Sequence, residues 1–383
     1  MNISPKSGLY FHIPFCKNKC GYCDFYSVTE LKNTGEFLNS LIHEIELTAQ
    51  KQKINLEFDT IYFGGGTPSI LSAVELEKIL NTVYNYFSIS ENVEITLETN
   101  PGTVDRLKLI SFSKLGINRL SIGVQSFINH ELLFLERIHS AEEAERCFYL
   151  ARECGFTNIG IDLIYALASQ KREDLLFSLN KCTNLYPEHI SAYNLIFEEG
   201  TPFFDLLHMG KIKKQNQKTE ASFFNLTDKV LTNAGYKHYE ISNYAISDNY
   251  ISRHNYKYWD HIPYISFGPS AHSFYGNKRW ANFRSLSQYI KYLQNGKLPI
   301  EFIETLKTKE LMFEHIYLKL RTAAGVNLQL FKKQFKKDFL LYFKNTISGL
   351  FEKKLAKTIN GYFLLTRKGM LLCDEILPEF AQN

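Results

Sequence analysis

The sequence predicts an α/β fold: a partial, open (β/α)6 barrel followed by a small α-rich domain of winged-helix type. Three observations predict it. Short β-branched and aromatic runs alternate with longer helical patterns through the first half of the 383 residues. The chemically distinctive residues fall at the C-terminal ends of the expected strands. From about Leu286 the alternation gives way to closely spaced helices and a single hairpin signal.

The expected strands are 9–13, 60–63, 93–97, 119–124, 158–164 and 189–195, each bounded by polar or glycine-containing segments. Between them, 36–50, 73–86, 104–114, 141–153 and 173–184 have helical length and periodicity, and Gly116, Gly155 and Gly235 stand where helices end. Strands alternating with helices imply parallel βαβ units. Six units suit an open barrel better than a sheet with one nucleotide crevice. In such barrels the working residues sit at strand C-termini. Here those positions carry a cysteine loop after residue 13, residues 64–68, Glu98, Gln125 and Asp162.

Beyond the barrel, helical patterns cover 305–321, 328–335 and 339–353. A hairpin over 355–366 turns at Asn360-Gly361, and a last helix starts near Arg367. The expected domains are therefore 1–235 for the barrel, 236–300 for a continuation packing on it, and 301–383 for the winged-helix-like unit. Between Thr305 and Met370 there are 14 Lys or Arg against 4 Asp or Glu, although the whole chain carries only +4. A basic face of this kind suits docking to an acidic partner or an anionic membrane surface. Basic charge is also the footprint of phosphate binding, but no nucleic-acid-reading motif accompanies it.

Apolar residues make up 45% and charged residues 22% of the chain, ordinary values for a soluble protein. No apolar run approaches the ~18 residues of a membrane span, and no secretory signal is visible. Seven unevenly spaced cysteines argue against a disulfide framework and for a reducing, cytoplasmic setting.

Cys16-Lys-Asn-Lys-Cys20-Gly-Tyr-Cys23 supplies three thiolates from one loop. Four-iron clusters are normally held by four, so three leave one iron open to a substrate or cofactor. Lys17 and Lys19 would favour the thiolate forms. The alternative is a structural zinc site with His12 as fourth ligand, but such sites usually add a second cysteine pair, and Cys147, Cys154, Cys182 and Cys373 are scattered. Phe63-Gly64-Gly65-Gly66-Thr67-Pro68 follows a strand, and its backbone amides could cradle an anion. Glu98 and Asp162 end apolar strands, placed to bond an ammonium or ribose hydroxyls or to cap helices. Gln125 and Arg137 are further candidates, arginine being suited to carboxylates.

The CxxxCxxC spacing resembles that of radical S-adenosylmethionine (SAM) enzymes. Taken with the GGGTP run, 123–127, 160–165, 192–202 and 239–273, the chain resembles the oxygen-independent coproporphyrinogen III oxidase family over most of residues 8–285. The resemblance implies a [4Fe-4S] cluster on Cys16, Cys20 and Cys23. It implies SAM contacts from Tyr10, Tyr22, Gly65, Gly66, Thr67, Glu98, Gln125, Arg137 and Asp162. One branch of the family oxidises coproporphyrinogen III; another consists of haem chaperones. The oxidases have a further cysteine two places after the third, where this chain has Phe25, and an N-terminal extension for which Cys16 leaves little room. His254-Asn255-Tyr256-Lys257-Tyr258-Trp259 matches the HNxxYW motif of the chaperone branch, which implies haem binding by His254, Tyr258 and Trp259. Imidazole is a common haem ligand; His238, His261 and His272 lie close in sequence, so the ligating histidine stays open. The expected function is delivery of haem to acceptor proteins, with the oxidase reaction as alternative and a homodimer left open. One departure is 165–170, Tyr-Ala-Leu-Ala-Ser-Gln, where the family has a Gly-Leu-Pro-Gly-Gln loop.

Overall fold

In the computed structural model, which describes residues 6–52 and 54–381, the barrel is built from six parallel strands. The outer ends of the expected domain ranges, 1–5 and 382–383, lie outside the described residues. β1 (Ser7–Ile13) leads to α1 (Thr34–Lys51), β2 (Glu57–Gly65) to α2 (Ala73–Tyr86) and β3 (Ser88–Thr99) to α3 (Arg106–Lys114). β4 (Arg119–Gln125) leads to α4 (Asn129–Phe134) and α5 (Ala141–Glu153), β5 (Ile159–Tyr165) to α6 (Arg172–Leu185), and β6 (His189–Asn194) to α7 (Pro202–His208) and α8 (Gln217–Asn233). Each strand pairs in parallel with the next. Ser72 and Ser140 open α2 and α5 with reciprocal capping boxes to Glu75 and Glu143, which satisfy donors that a helix start leaves unpaired.

Side chains alternate along these strands. Leu9, Phe11, Ile13, Ile61, Phe63, Leu97, Leu120, Ile122 and Ile161 join one core with helix residues such as Phe37, Leu41, Ile79 and Phe148. The residues between them, including Tyr10, His12, Tyr62, Glu98, Arg119 and Asp162, share the opposite face and make the barrel lumen polar. Packing therefore claims one face of every strand and leaves the other for chemistry.

The same sheet continues on both sides. β7 (Lys237–Glu240) and β8 (Asn243–Ala245) add antiparallel beyond β6. After α9 (Arg253–Trp259), β9 (Tyr264–Phe267) pairs parallel with β1, and β10 (His272–Tyr275), β11 (Lys278–Asn282) and β12 (Ile300–Thr305) follow antiparallel. The result is a 12-stranded open sheet with β12 and β7 at its ends. These added strands were not expected, because β7–β11 have only three to five residues each and β12, with six, has no buried residue to mark a face. The helix expected from residue 305, where β12 ends, is Thr308–Lys319 and begins only after Leu306 and Lys307.

The C-terminal unit pairs β13 (Val326–Asn327), β15 (Tyr362–Leu365) and β14 (Ala356–Ile359). β14 and β15 turn at Asn360 and Gly361, both at positive φ. Its core gathers Phe331, Phe335, Phe339, Phe343, Phe363 and Phe380. The expected helix over 339–353 is split into Phe339–Tyr342 and Lys344–Glu352. Among the described residues, no helix is long and apolar enough to cross a membrane.

Candidate functional site

The cysteine loop leaves β1 and returns beside its own start. Val28 N–H donates to Pro14 O at 2.7 Å and Cys16 N–H to Val28 O at 3.0 Å, while Cys23 N–H closes on Cys20 O at 3.1 Å. A second clamp comes from the segment after α4. Glu136, at φ +54°, accepts from Gly21 N–H at 2.8 Å through its carboxylate and from Asn18 Nδ2 at 3.0 Å through its carbonyl. Gly21 is required there, because a Cβ would sit 2.7 Å from the Phe203 ring.

The three cysteines are brought to one place. Cys16 and Cys20 are buried, and Cys23 is partly so. Arg137 Nη1 lies 3.6 Å from Cys20 Sγ and 3.5 Å from the Tyr22 hydroxyl; its Nη2 donates to Gly123 O at 2.9 Å. Thr67 Oγ1 donates to Cys16 Sγ at 3.6 Å. The two lysines differ in what they do. Lys17 is tied to Gly102 O at 2.9 Å. Burial pushes the Cys23 thiol up to about 11, reinforced by Cys16 and Cys20, and the opposing pull of Lys19 is smaller.

The zinc alternative fits poorly. His12 is engaged at both nitrogens, with Tyr26 O at 2.7 Å and the Tyr10 hydroxyl at 3.2 Å. Among the described residues, the one group of three with ligand atoms all within 4.8 Å of one another is His130, Glu131 and Asp174. The three cysteine sulfurs do not form such a group.

The amides of the glycine run have acceptors within the fold. Gly65 N–H donates to Glu98 Oε2 at 3.2 Å, Gly66 N–H to Ile13 O at 2.9 Å and Thr67 N–H to Phe15 O at 2.7 Å. The Gly66 and Thr67 amides brace the start of the cysteine loop, while the Gly65 amide holds the Glu98 carboxylate. Gly65 is at φ +108°, and a Cβ on Gly66 would meet Phe15 O at 2.7 Å.

Around this mouth stand the other expected residues. Tyr62 Oη donates to Glu98 Oε1 at 2.8 Å. Desolvation raises the Glu98 carboxyl to about 7, with Asp162 adding to it. Asp162 accepts from Ser121 Oγ at 3.0 and 3.2 Å, and burial raises it as well. Gln125 takes a positive φ of 68° at the end of β4. Tyr10 stacks on Tyr62 with centroids 6.1 Å apart. Tyr10, Glu98, Gln125, Arg137 and Asp162 all stay partly exposed; Asp162 lies midway along β5 rather than at its end, because the strand runs on to Tyr165. Arg137 Nε is buried without a partner, a donor that a bound carboxylate would satisfy. The residues present therefore fit both a thiolate-held cluster and SAM.

The HNxxYW segment lies at the other end of the barrel, on α9. His254 is 1% exposed, and its Nδ1 and Nε2 are each 2.9 Å from Thr60 Oγ1 and the Tyr258 hydroxyl. In this arrangement it offers no free lone pair. Tyr258 lines a cavity of about 510 Å³ together with His261, Tyr264, Phe274 and Arg279, and Trp259 is partly buried at the end of α9. Sequence reasoning missed Glu136, Tyr62 and Arg119. Arg119 is a fully buried guanidinium with two nitrogens unpartnered; only its place at a strand start, facing a polar lumen, could have marked it.

A partial barrel with three free cysteines at its strand-end mouth defines a radical SAM protein. In agreement, the Radical SAM superfamily model matches residues 10–182 and the HemN C-terminal domain model residues 306–372. The chain is similar to heme chaperone HemW of Bacillus subtilis, with 33% identity over 373 residues covering 97% of this chain and 98% of the relative. It is also similar to heme chaperone HemW of Synechocystis, at 36% identity covering 83% and 78% of the two chains. The chain belongs to the HemW family. In fold it superimposes on coproporphyrinogen III oxidase (HemN) from Escherichia coli, a radical SAM enzyme, with TM-score 0.86 and 23% identity, covering 98% of this chain and 90% of that one.

Proposed function

We propose that the chain is a haem carrier that holds a [4Fe-4S] cluster on Cys16, Cys20 and Cys23, binds SAM at the barrel mouth and passes haem to acceptor proteins. The observation that carries the haem-carrier reading over the oxidase is Phe25. It is 65% exposed and occupies the place two residues after Cys23 where the oxidases have a further cysteine. The names borne by the relatives point the same way.

A cluster bound here would supply an iron open to the amino-acid end of SAM. Arg137, with Nε unpartnered, is suited to the SAM carboxylate. Glu98 and Asp162 offer acceptors to an ammonium or to ribose hydroxyls. Tyr22, stacked edge-on to Phe203, closes the mouth beside the third cysteine. Of the HNxxYW residues, Tyr258 faces the cavity and His254 pins it from behind. The exposed Lys332, Lys333, Lys336, Lys353 and Lys354 make the C-terminal unit the docking face toward an acidic partner or an anionic membrane.

The test is anaerobic cluster reconstitution followed by haem titration and, in parallel, incubation with coproporphyrinogen III, reductant and SAM. Near-stoichiometric haem uptake without protoporphyrinogen formation is expected. Protoporphyrinogen formation would favour the oxidase, and failure to take up haem would reject the carrier.

A further inference from the structure

Four histidines compete as haem ligand, and the structure separates them. Both ring nitrogens of His254 are engaged in the barrel floor. His238 has Nε2 3.2 Å from Ile241 O and Nδ1 3.0 Å from Asp228, with its ring stacked on Tyr244 at 4.2 Å. His261 stacks on Phe274 at 4.2 Å, with Nε2 3.3 Å from Glu314. His272 differs from all three. It opens β10, it is exposed, and among the described residues its one ring contact is edge-on to Phe302 at 6.1 Å.

The strand register shows what surrounds it. His272 pairs with Ala281, and Ala281 with Phe302, so the three side chains form one row across β10, β11 and β12. Alanine in the middle leaves a shallow gap between an imidazole and a phenyl ring that is 45% exposed. One step along, Tyr264, Phe274, Arg279 and Glu304 form the next row on the same face. That row lines the 510 Å³ cavity with Tyr258 of the HNxxYW helix and Phe313, a volume in the range of small-molecule sites. The face thus runs from a histidine into an aromatic hollow.

Charge sets the orientation. The cavity end carries Glu304, Glu310 and Glu314, of which Glu304 and Glu314 already hold Arg279 at 2.6 Å each. At the other end stands Arg284, half-exposed and bonded to Asp24 through Nη2. Arg279 and Arg284 both lie within electrostatic reach of His272. An anionic group belongs at the Arg284 end, beside the cysteine loop, and an apolar edge in the hollow.

We propose that this inner face of β9–β12 seats haem, with His272 ligating the iron, Phe302 and the cavity aromatics taking the ring, and Arg284 taking a propionate. It rests on the haem-carrier reading and goes beyond it in moving the iron ligand off the HNxxYW motif, which on this arrangement shapes the cavity through Tyr258.

The test is haem titration of the full-length, cluster-reconstituted protein, followed by absorption and electron paramagnetic resonance. His272→Gly should weaken binding at least about tenfold and lose the nitrogen-ligated spectrum, and added imidazole should restore that spectrum. Phe302→Asp should weaken binding while the ligand signature persists in the haem that remains. Unchanged affinity and spectrum in His272→Gly would overturn the inference and leave the carrier reading intact. So would loss of nitrogen ligation in a His254→Gln protein that melts like the wild type. A wild-type protein that takes up no haem would remove the carrier reading itself.

Discussion

The imidazole of His254 is stacked on the ring of Tyr62, with centroids 5.0 Å apart and planes 30° apart, and Tyr62 in turn donates its hydroxyl hydrogen to Glu98 at 2.8 Å. A motif at the floor of the barrel is thereby joined to a carboxylate at its mouth. Removing the imidazole in His254→Ala leaves a cavity and strips partners from Thr60 and Tyr258. The expected cost is about 3 kcal/mol. Tyr62 would also lose its backing, so SAM affinity should fall several-fold. Thermal melting and equilibrium SAM binding check this; wild-type SAM affinity in a folded variant would break the link.

The cluster assignment separates the seven cysteines into two classes. Cys16→Ala, Cys20→Ala or Cys23→Ala should each reduce iron and acid-labile sulfide to background after anaerobic reconstitution. Cys147 and Cys182 pack in the core behind the helices, so Cys147→Ala and Cys182→Ala should keep both while losing some stability, on the order of 1–2 kcal/mol. Retained cluster in any of the first three would displace that cysteine from the ligand set.

Gly66 sits where two backbones meet. A Cβ there would lie 2.7 Å from Phe15 O and 3.0 Å from Ile13 O, and neither is the tip of a flexible side chain. Gly66→Ala should push the cysteine loop off β2 and break the Gly66–Ile13 bond. We expect a loss of about 2–4 kcal/mol together with poor cluster retention. Gly35→Ala serves as control, since a Cβ there meets nothing within 4 Å. A Gly66→Ala protein with wild-type melting and full cluster would show that the run has no bracing role.

The barrel strands and the cysteine loop were legible because both are written locally. β1, with Leu9, Phe11 and Ile13 alternating against Tyr10 and His12, declares its two faces in seven residues. Strands such as β10, four residues with a single buried pair, declare nothing until a neighbour supplies the register. The orientation of His254 was not legible either. Whether a histidine in a motif faces a ligand or a packed interior is decided by Thr60 and Glu94, which are 194 and 160 residues away in the chain. The partners of the glycine run were hidden for a related reason. Sequence shows that its amides can approach something closely, whereas their acceptors, Ile13, Phe15 and Glu98, are set by the fold.

Glu44 provides a pH-dependent test of how the sheet extension is held to the barrel. From α1 it accepts from Gly268 N–H at 2.8 Å, Asn282 Nδ2 at 2.6 Å and the Tyr289 hydroxyl at 2.6 Å. Burial raises its carboxyl from 4.5 to about 7, although these three donors pull the other way. A carboxyl raised on folding favours the folded state most where it is protonated. Its contribution is complete below pH 4.5 and is lost as pH rises through about 7. Between pH 5 and pH 8 that loss is on the order of 2 kcal/mol. Glu44→Gln cannot ionise and places an amide nitrogen against Asn282, so it should start less stable than the wild type at pH 5. The gap should then narrow by about that amount by pH 8. Parallel denaturant titrations of the two proteins across this range measure it; a gap that stays constant would mean that Glu44 ionises at its ordinary value and that burial does not govern it.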